Sequence, residues 1–495
     1  MSRQFAFRGA SASEIVVNSI VEIHVWRLGK SIAAVAALGL FLGVSRAGAD
    51  ATAQPDSVQR DNTELRGEVN QLKDKVDRLE ANQQRVPVTQ PVYNPNTNQS
   101  SFNAFRFTSG YDPAVGFVIR SDDNLFSLHP GIVLDFRNMT DYRTELSPTS
   151  GSVVSSPRYE TENGFDLTRA RLTFDGHLGQ NVTYFVQFQD DQGASVGLLD
   201  AYWAYHFGDS PWALKVGQFK DPIWHERNLS EADLLAVDRS VTESLLGGGQ
   251  TSRVQGIALM YDQDRLRNQF VLHDGFNSLN TPFYDAGGLG AGVGGGAGVT
   301  PTDYGISDRA EWLAIGNRTP DFNPYTEYDR QFTALGDKQD ILVFGGGADF
   351  SQAGANSVFF HTIDVQYDAT GGFSAYAAYL ASYRNLAENQ GVAKGFYYDP
   401  GLVVQAAYLL TPKIEPFARY DYSYLPRGST TNLITGEVQE ITIGANYYLY
   451  KQNLKFTLDA SYLPNGAPSD QTPQGILKDS GHNEIVVRAQ FQLAL

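Results

Sequence analysis

From about residue 104 to its end the chain alternates hydrophobic and polar residues with a period of two. The clearest case closes the chain. There Ile485, Val487, Ala489, Phe491, Leu493 and Leu495 alternate with Glu484, Val486, Arg488, Gln490, Gln492 and Ala494. Thr168, Ala170, Leu172 and Phe174 alternate in the same way with Arg169, Arg171, Thr173 and Asp175. Leu199, Ala201, Trp203, Tyr205 and Phe207 alternate with Asp200, Tyr202, Ala204 and His206. This period puts the two sets on opposite faces of a β-strand. Segments of about ten residues with one apolar and one polar face form the pattern of a transmembrane β-barrel, weak singly and cumulative along a chain. Lipid offers the backbone no hydrogen-bond partner, so membrane strands must close on themselves. The predicted fold is therefore all-β, an antiparallel barrel occupying 104–495. Sixteen strands are predicted, near 125–140, 165–178, 182–190, 197–208, 213–219, 254–262, 266–274, 311–317, 341–350, 357–367, 372–384, 396–410, 414–424, 437–449, 454–463 and 483–494.

The connections support the barrel. Tight links fall at 179–181, 208–211, 262–264, 370–372, 411–413 and 451–453, and long polar ones at 141–164, 220–253, 275–310, 425–436 and 464–482. Short turns on one rim and long loops on the other are what an outer-membrane barrel has. One segment, 318–340, is too long for the tight rim. Aromatics gather at strand ends, as in 420–424 and 446–450, where they would meet the lipid–water boundary.

Two other patterns precede the barrel. The apolar run Ile32–Val44 follows Arg27 and Lys30 and leads to Ala47-Gly48-Ala49, which reads as a secretory signal peptide over 1–49. That run is too short to span a bilayer as a helix. Over 50–84, Val58, Asn62, Leu65, Val69, Leu72, Val76 and Leu79 recur at spacings of four and three among polar residues. This is a short coiled-coil seam, which predicts a self-associating periplasmic stalk. The seam leaves dimer and trimer open. Residues 85–103, with Pro87, Pro91 and Pro95, read as a linker.

Composition narrows the function. With 38 Lys and Arg against 55 Asp and Glu, a formal charge of −17 excludes nucleic acid as a partner, since binding it needs a basic face. Zero Cys removes disulfides, thiolate nucleophiles and Cys-based zinc sites. The eight His residues show no metal-ligand spacing, so neither metal nor cofactor is expected. The string Gly290–Gly295 fits a dinucleotide fingerprint, but it sits in a glycine tract, 287–298, with no helix pattern after it, and reads as a loop. No Ser lies in a nucleophile elbow, and an enzyme is not expected.

Three stretches together resemble the phosphate-selective porin O and P family of bacterial outer-membrane channels. The first is Leu167–Phe174 leading to Gly179. The second is Asp200-Ala201-Tyr202, then Val216-Gly217-Gln218-Phe219-Lys220-Asp221-Pro222, then Asp238-Arg239-Ser240. The third runs through Glu415–Tyr420, Ile443–Leu449 and Leu458–Leu463. The resemblance implies a trimeric sixteen-stranded porin whose third long loop, 220–253, folds inward as a constriction. It implies passive diffusion of small hydrophilic solutes or ions. Candidate residues lining the pore are Arg169, Arg171, Lys215, Lys220, Asp221, Arg227, Asp233, Arg239 and Arg419. Phosphate-selective members imply a ladder of inward arginines. Here Arg137, Arg169, Arg171, Lys215, Arg419 and Arg488 are mixed with Asp135, Asp175, Asp200, Asp421 and Glu484, so weak anion selectivity is the expectation. Two other functions fit the pattern: a non-conducting anchor whose stalk grips peptidoglycan, and a hydrolase carried on the barrel. Conductance and phospholipid turnover separate them.

Overall fold

The computed structural model describes residues 107–112, 116–143, 160–190, 196–247, 252–276, 278–281, 288–289, 300–331, 339–386, 395–425, 436–468, 474–477 and 482–495. All lie in the unit Ser101–Leu495. The expected signal segment, stalk and linker, and most of the glycine tract 287–298, fall outside the described residues.

The strands are β1 (Phe107–Asp112), β2 (Gly116–Ser121), β3 (Phe126–Arg143), β4 (Glu160–Leu178), β5 (Val182–Asp190), β6 (Val196–His206) and β7 (Trp212–Lys220). After the inserted loop come β8 (Arg253–Gln263), β9 (Leu266–His273), β10 (Gly288–Leu289), β11 (Thr300–Pro301) and β12 (Tyr304–Ile315). The rest are β13 (Ile341–Ala353), β14 (Asn356–Asp368), β15 (Phe373–Leu386), β16 (Gly395–Tyr408), β17 (Ile414–Leu425), β18 (Gly436–Tyr450), β19 (Leu454–Leu463) and β20 (Glu484–Ala494). Each of β3 to β8 pairs antiparallel with the next, β9 pairs with β12, and β12 to β20 pair in turn. β20 returns to β3, with Phe136 opposite Phe491 and Arg137 opposite Gln490. The result is a closed antiparallel barrel of sixteen strands, with no open edge.

The period of two is realised as predicted. Phe136, Leu172, Trp203, Ile257, Trp312, Ile363, Ile443 and Phe491 face outward and are exposed, as a lipid-facing band requires. Arg137, Arg169, Asp200, Arg309, Asp364, Arg419, Glu440 and Arg488 face inward and are buried. The tight links sit on one rim, where Gly179 and Gly208 take φ of 67° and 61°. Glycine meets that left-handed conformation without a Cβ clash. By the usual arrangement of outer-membrane barrels this rim is periplasmic.

Four details differ from the sequence reading. A bulge between Asp135–Arg169 and Phe136–Leu167 loops out Thr168, which is buried instead of joining the apolar face. β12 starts at Tyr304, seven residues before the expected 311, because Asp308 and Ala310 occupy outward positions and hide the alternation. The Asn268 side chain donates to Asp308 Oδ1 at 3.0 Å on that outer face. The hairpin β1–β2 precedes the first expected strand and joins β3 through Ile119–Leu128 and Arg120–Ser127. Finally, the long connection after β12 turns into the barrel. Its short helix, Pro324–Tyr328, is capped by the Asn323 side chain and buries Tyr325 and Tyr328 against Leu313, Ile341 and Val343.

Candidate functional site: the inserted loop and the lumen

The chain between β7 and β8 does not cross the rim but fills much of the lumen. Asp221-Pro222 ends β7, since proline has no N–H for the ladder. The Asn228 amide then closes the turn by donating to the carbonyls of Asp221, Pro222 and Trp224 at 3.2, 2.7 and 2.9 Å. The helix α1 (His225–Asn228) and a 3-10 turn, Glu231–Asp233, follow, the latter capped by Ser230. Leu229, Leu234, Leu235, Val237 and Val241 are all buried, so the loop is packed as firmly as a core.

Two walls hold it. On the β3–β4 side Asp238 receives Arg137 at 3.1 Å and Arg169 at 2.8 Å, and Arg169 also reaches Asp135 at 3.0 Å. Glu231 takes the Arg171 guanidinium with both oxygens and Arg239 at 2.6 Å. On the β17–β20 side Arg419 donates to the Asp238 carbonyl at 2.8 Å and pairs with Asp421 at 3.1 Å and Glu440 at 3.3 Å. Lys455 Nζ reaches the Leu234 carbonyl at 2.7 Å, and Arg488 is held by Asp459 at 2.7 Å. Across the lumen Trp224 packs on Phe360, and the His225 ring stacks on Tyr328 at 3.9 Å. Arg309 ties this end down, donating to the Ile223 carbonyl at 3.1 Å while pairing with Asp364 at 2.8 Å.

These contacts set the loop's charges. Burial opposes ionisation of Glu231, yet Arg171 and Arg239 hold it well below the usual carboxylate range. Asp238 behaves likewise, lowered to about 2 by Arg169 and Arg137 against the cost of burial. Asp221 goes the other way: burial and the adjacent Asp349 push it well above its ordinary value. Burial raises Asp233 to about 6, with Lys455 and Arg330 opposing. Burial lowers Arg227 to about 10; its Nη2 donates to Ser252 Oγ at 2.6 Å.

The nine candidate residues thus fall into three groups. Arg169, Arg171, Arg239 and Arg419 converge on the loop and spend their guanidinium groups on its carboxylates and carbonyls. Asp221 is buried at the loop's start, and Arg227 lies within the loop. Lys215, Lys220 and Asp233 instead line an open space of about 530 Å³ between the loop and the β4–β9 wall. A second space of about 690 Å³ adjoins it, sharing Tyr202, Asn228, Ser230, Asp233 and Gln269, and reaches Ser210, Pro211 and Asp262 at the tight rim. Sequence reasoning missed Arg309, Asp364 and Tyr328. The spacing Ser307-x-Arg309-x-Glu311 carries the signal for Arg309, but it requires starting β12 at 304. Among the described residues no group of three or more His, Asp or Glu could hold a metal ion.

A closed sixteen-strand barrel with an outward apolar band and a loop packed into its lumen defines the class of protein: an outer-membrane β-barrel. The family model described as Phosphate-selective porin O and P matches residues 155–305, the segment that holds β4 to β9 and the inserted loop. No curated protein matches the chain. Among solved structures, an anion-selective porin from Comamonas acidovorans aligns at 10% identity and TM-score 0.49, covering 75% of this chain and 100% of that one. The outer-membrane channel DcaP of Acinetobacter baumannii aligns at 12% identity and TM-score 0.45, covering 76% and 99%. OmpF of Salmonella typhi aligns at 14% and 0.45, covering 75% and 99%.

Proposed function

We propose that the protein lets small hydrophilic solutes and ions diffuse through the outer membrane, with a weak preference for anions set by lysines. One observation carries this reading. The inserted loop is bound to the β3–β4 and β17–β20 walls, and the remaining space runs along β4–β9, where Lys215 and Lys220 face it. Lys220 Nζ donates to the Leu229 carbonyl at 2.8 Å and Lys215 Nζ to Gln269 Oε1 at 3.1 Å, both neutral acceptors. Of the other charged side chains lining this space, Asp200 is taken up by Arg253 and Glu231 by Arg171 and Arg239. Lys215 and Lys220 then stand against the carboxyl of Asp233. In a narrow passage nearby fixed charges outweigh the acidic loops outside, which salt screens within about 8–10 Å.

Residues 50–84 serve as a periplasmic coiled coil that joins barrels into an oligomer. Support comes from the heptad seam alone, so deletion of 55–84 is the informative change. It should weaken the oligomer and leave each barrel conducting, because closure from β20 to β3 is internal to one chain. The whole reading is tested by single-channel conductance in a planar bilayer with a salt gradient. Steps with a reversal potential weakly on the anion side support it. A silent barrel supports the anchor instead.

A further inference from the structure

A porin lumen is normally lined by polar groups, yet one wall of the 530 Å³ space is aromatic. Phe185 stands opposite Asp175 on β4 and Tyr202 on β6, both inward positions. Its ring stacks with that of Tyr202 at 5.5 Å between centroids and an interplanar angle of 25°. Tyr202 meets Phe219 edge-on at 6.2 Å. Phe219 has an ordinary structural explanation, being buried in a small cluster with Val254, Ala258 and Val271. Phe185 has none: it is half-buried, stands outside that cluster and lines the open space. Lys215 lies along the same wall, with Nζ 4.2 Å from the Phe219 centroid and 5.3 Å from that of Tyr202. Lys220 lines the same space.

We infer that this wall is a solute-binding station for organic oxyanions carried on a flat apolar ring, of the benzoate class. The inference rests on the porin reading above and names the solute class that reading leaves open. The chemistry is complementary at both ends of such a solute. An offset ring stacks on Phe185 and Tyr202, and its carboxylate takes a charge-assisted hydrogen bond from an ammonium group. Lysine offers a point charge rather than the two-pronged fork of arginine, so a compact monoanion is held without bidentate geometry and released readily. Inorganic phosphate gains only from the lysines, and a neutral ring only from the stacking. A solute with both features gains twice.

The test uses the full chain in a planar bilayer carrying a chloride current, with benzoate, acetate or inorganic phosphate added at equal concentration. Benzoate should half-block the current at a concentration about three- to ten-fold below that for acetate or phosphate, the ratio a single aromatic stacking contact supplies. Phe185→Ser should abolish that advantage, bringing benzoate block to the level of acetate block. Lys215→Gln should weaken block by benzoate and by acetate alike. Phosphate blocking as well as benzoate, or Phe185→Ser leaving benzoate block intact, overturns the station while the channel stands. A silent barrel overturns the channel instead, and saturation-transfer NMR of benzoate on the detergent-solubilised protein then decides the station alone. Ring-proton transfer lost in Phe185→Ser supports it, and equal transfer in both proteins overturns it.

Discussion

On the β17–β20 wall both lumen arginines end on carboxylates: Arg419 on Asp421 and Glu440, and Arg488 on Asp459. On the β5–β9 wall Lys215 and Lys220 end on an amide and on loop carbonyls. Both walls come from the same alternating strands, and both point cations inward. The difference lies in what the inserted loop brings to each. It presses its backbone against the first side, where Arg419 and Lys455 donate to loop carbonyls, and its carboxylates Asp238 and Glu231 against the neighbouring β3–β4 strands, turning charge into packing. It meets Lys220 of the second through neutral carbonyls, so charge there stays available to a solute. Inward charge in a barrel is therefore not the same thing as pore charge, because a loop can consume it.

The largest test of this contrast is to remove the loop's own acids. Glu231→Gln with Asp238→Asn takes the loop carboxylates away from Arg137, Arg169, Arg171 and Arg239, leaving Arg169 its pair with Asp135. Breaking one buried pair by removing a partner costs about 3–5 kcal/mol, so losing both should release the loop from the β3–β4 wall. Conductance should rise several-fold and selectivity should move strongly toward anions, while the barrel stays heat-modifiable in detergent electrophoresis. Unchanged conductance would mean that the β17–β20 contacts suffice to hold the loop. A smaller effect is expected on the open side. Lys215→Gln with Lys220→Gln should move the reversal potential to neutral or cationic, with conductance kept within about two-fold, since only contacts to neutral partners are lost. No movement would place the ion path elsewhere.

The smallest effect is a pH dependence. Asp233 borders both spaces, and burial raises its carboxyl to about 6. Lys455, Arg330 and Lys220 face it and favour its ionised form, while Asp329 opposes. A raised carboxyl is ionised above that value and neutral below it. Lowering the pH from 7 to 5 thus deletes one negative charge beside two lysines, and anion preference should increase. Reversal potentials measured at both values check the sign, and Asp233→Asn should shrink the shift. A shift that persists undiminished in the variant assigns the titration to another group.

How much of this is legible in the chain follows from the range of the forces involved. Strand alternation is a local property, because lipid on one side and water on the other act on successive residues. All sixteen predicted strands are present, with the tight turns at 179–181, 208–211 and 451–453 where Gly and Asn mark them. The inward faces of Arg169, Arg171, Lys215, Arg419 and Arg488 were likewise readable from neighbours two positions away. Local pattern failed where a local rule was broken: Asp308 on the outer face of β12, and Thr168 looped out at a bulge. It could not show that Arg171 ends on Glu231, sixty residues further on, or that Tyr328 comes up from the opposite rim to stack on His225. Such pairings depend on where a closed barrel holds its loops. A guanidinium and an ammonium look alike along the chain. Only the closed lumen, by bringing carboxylates to one and not to the other, decides which of them a passing anion can meet.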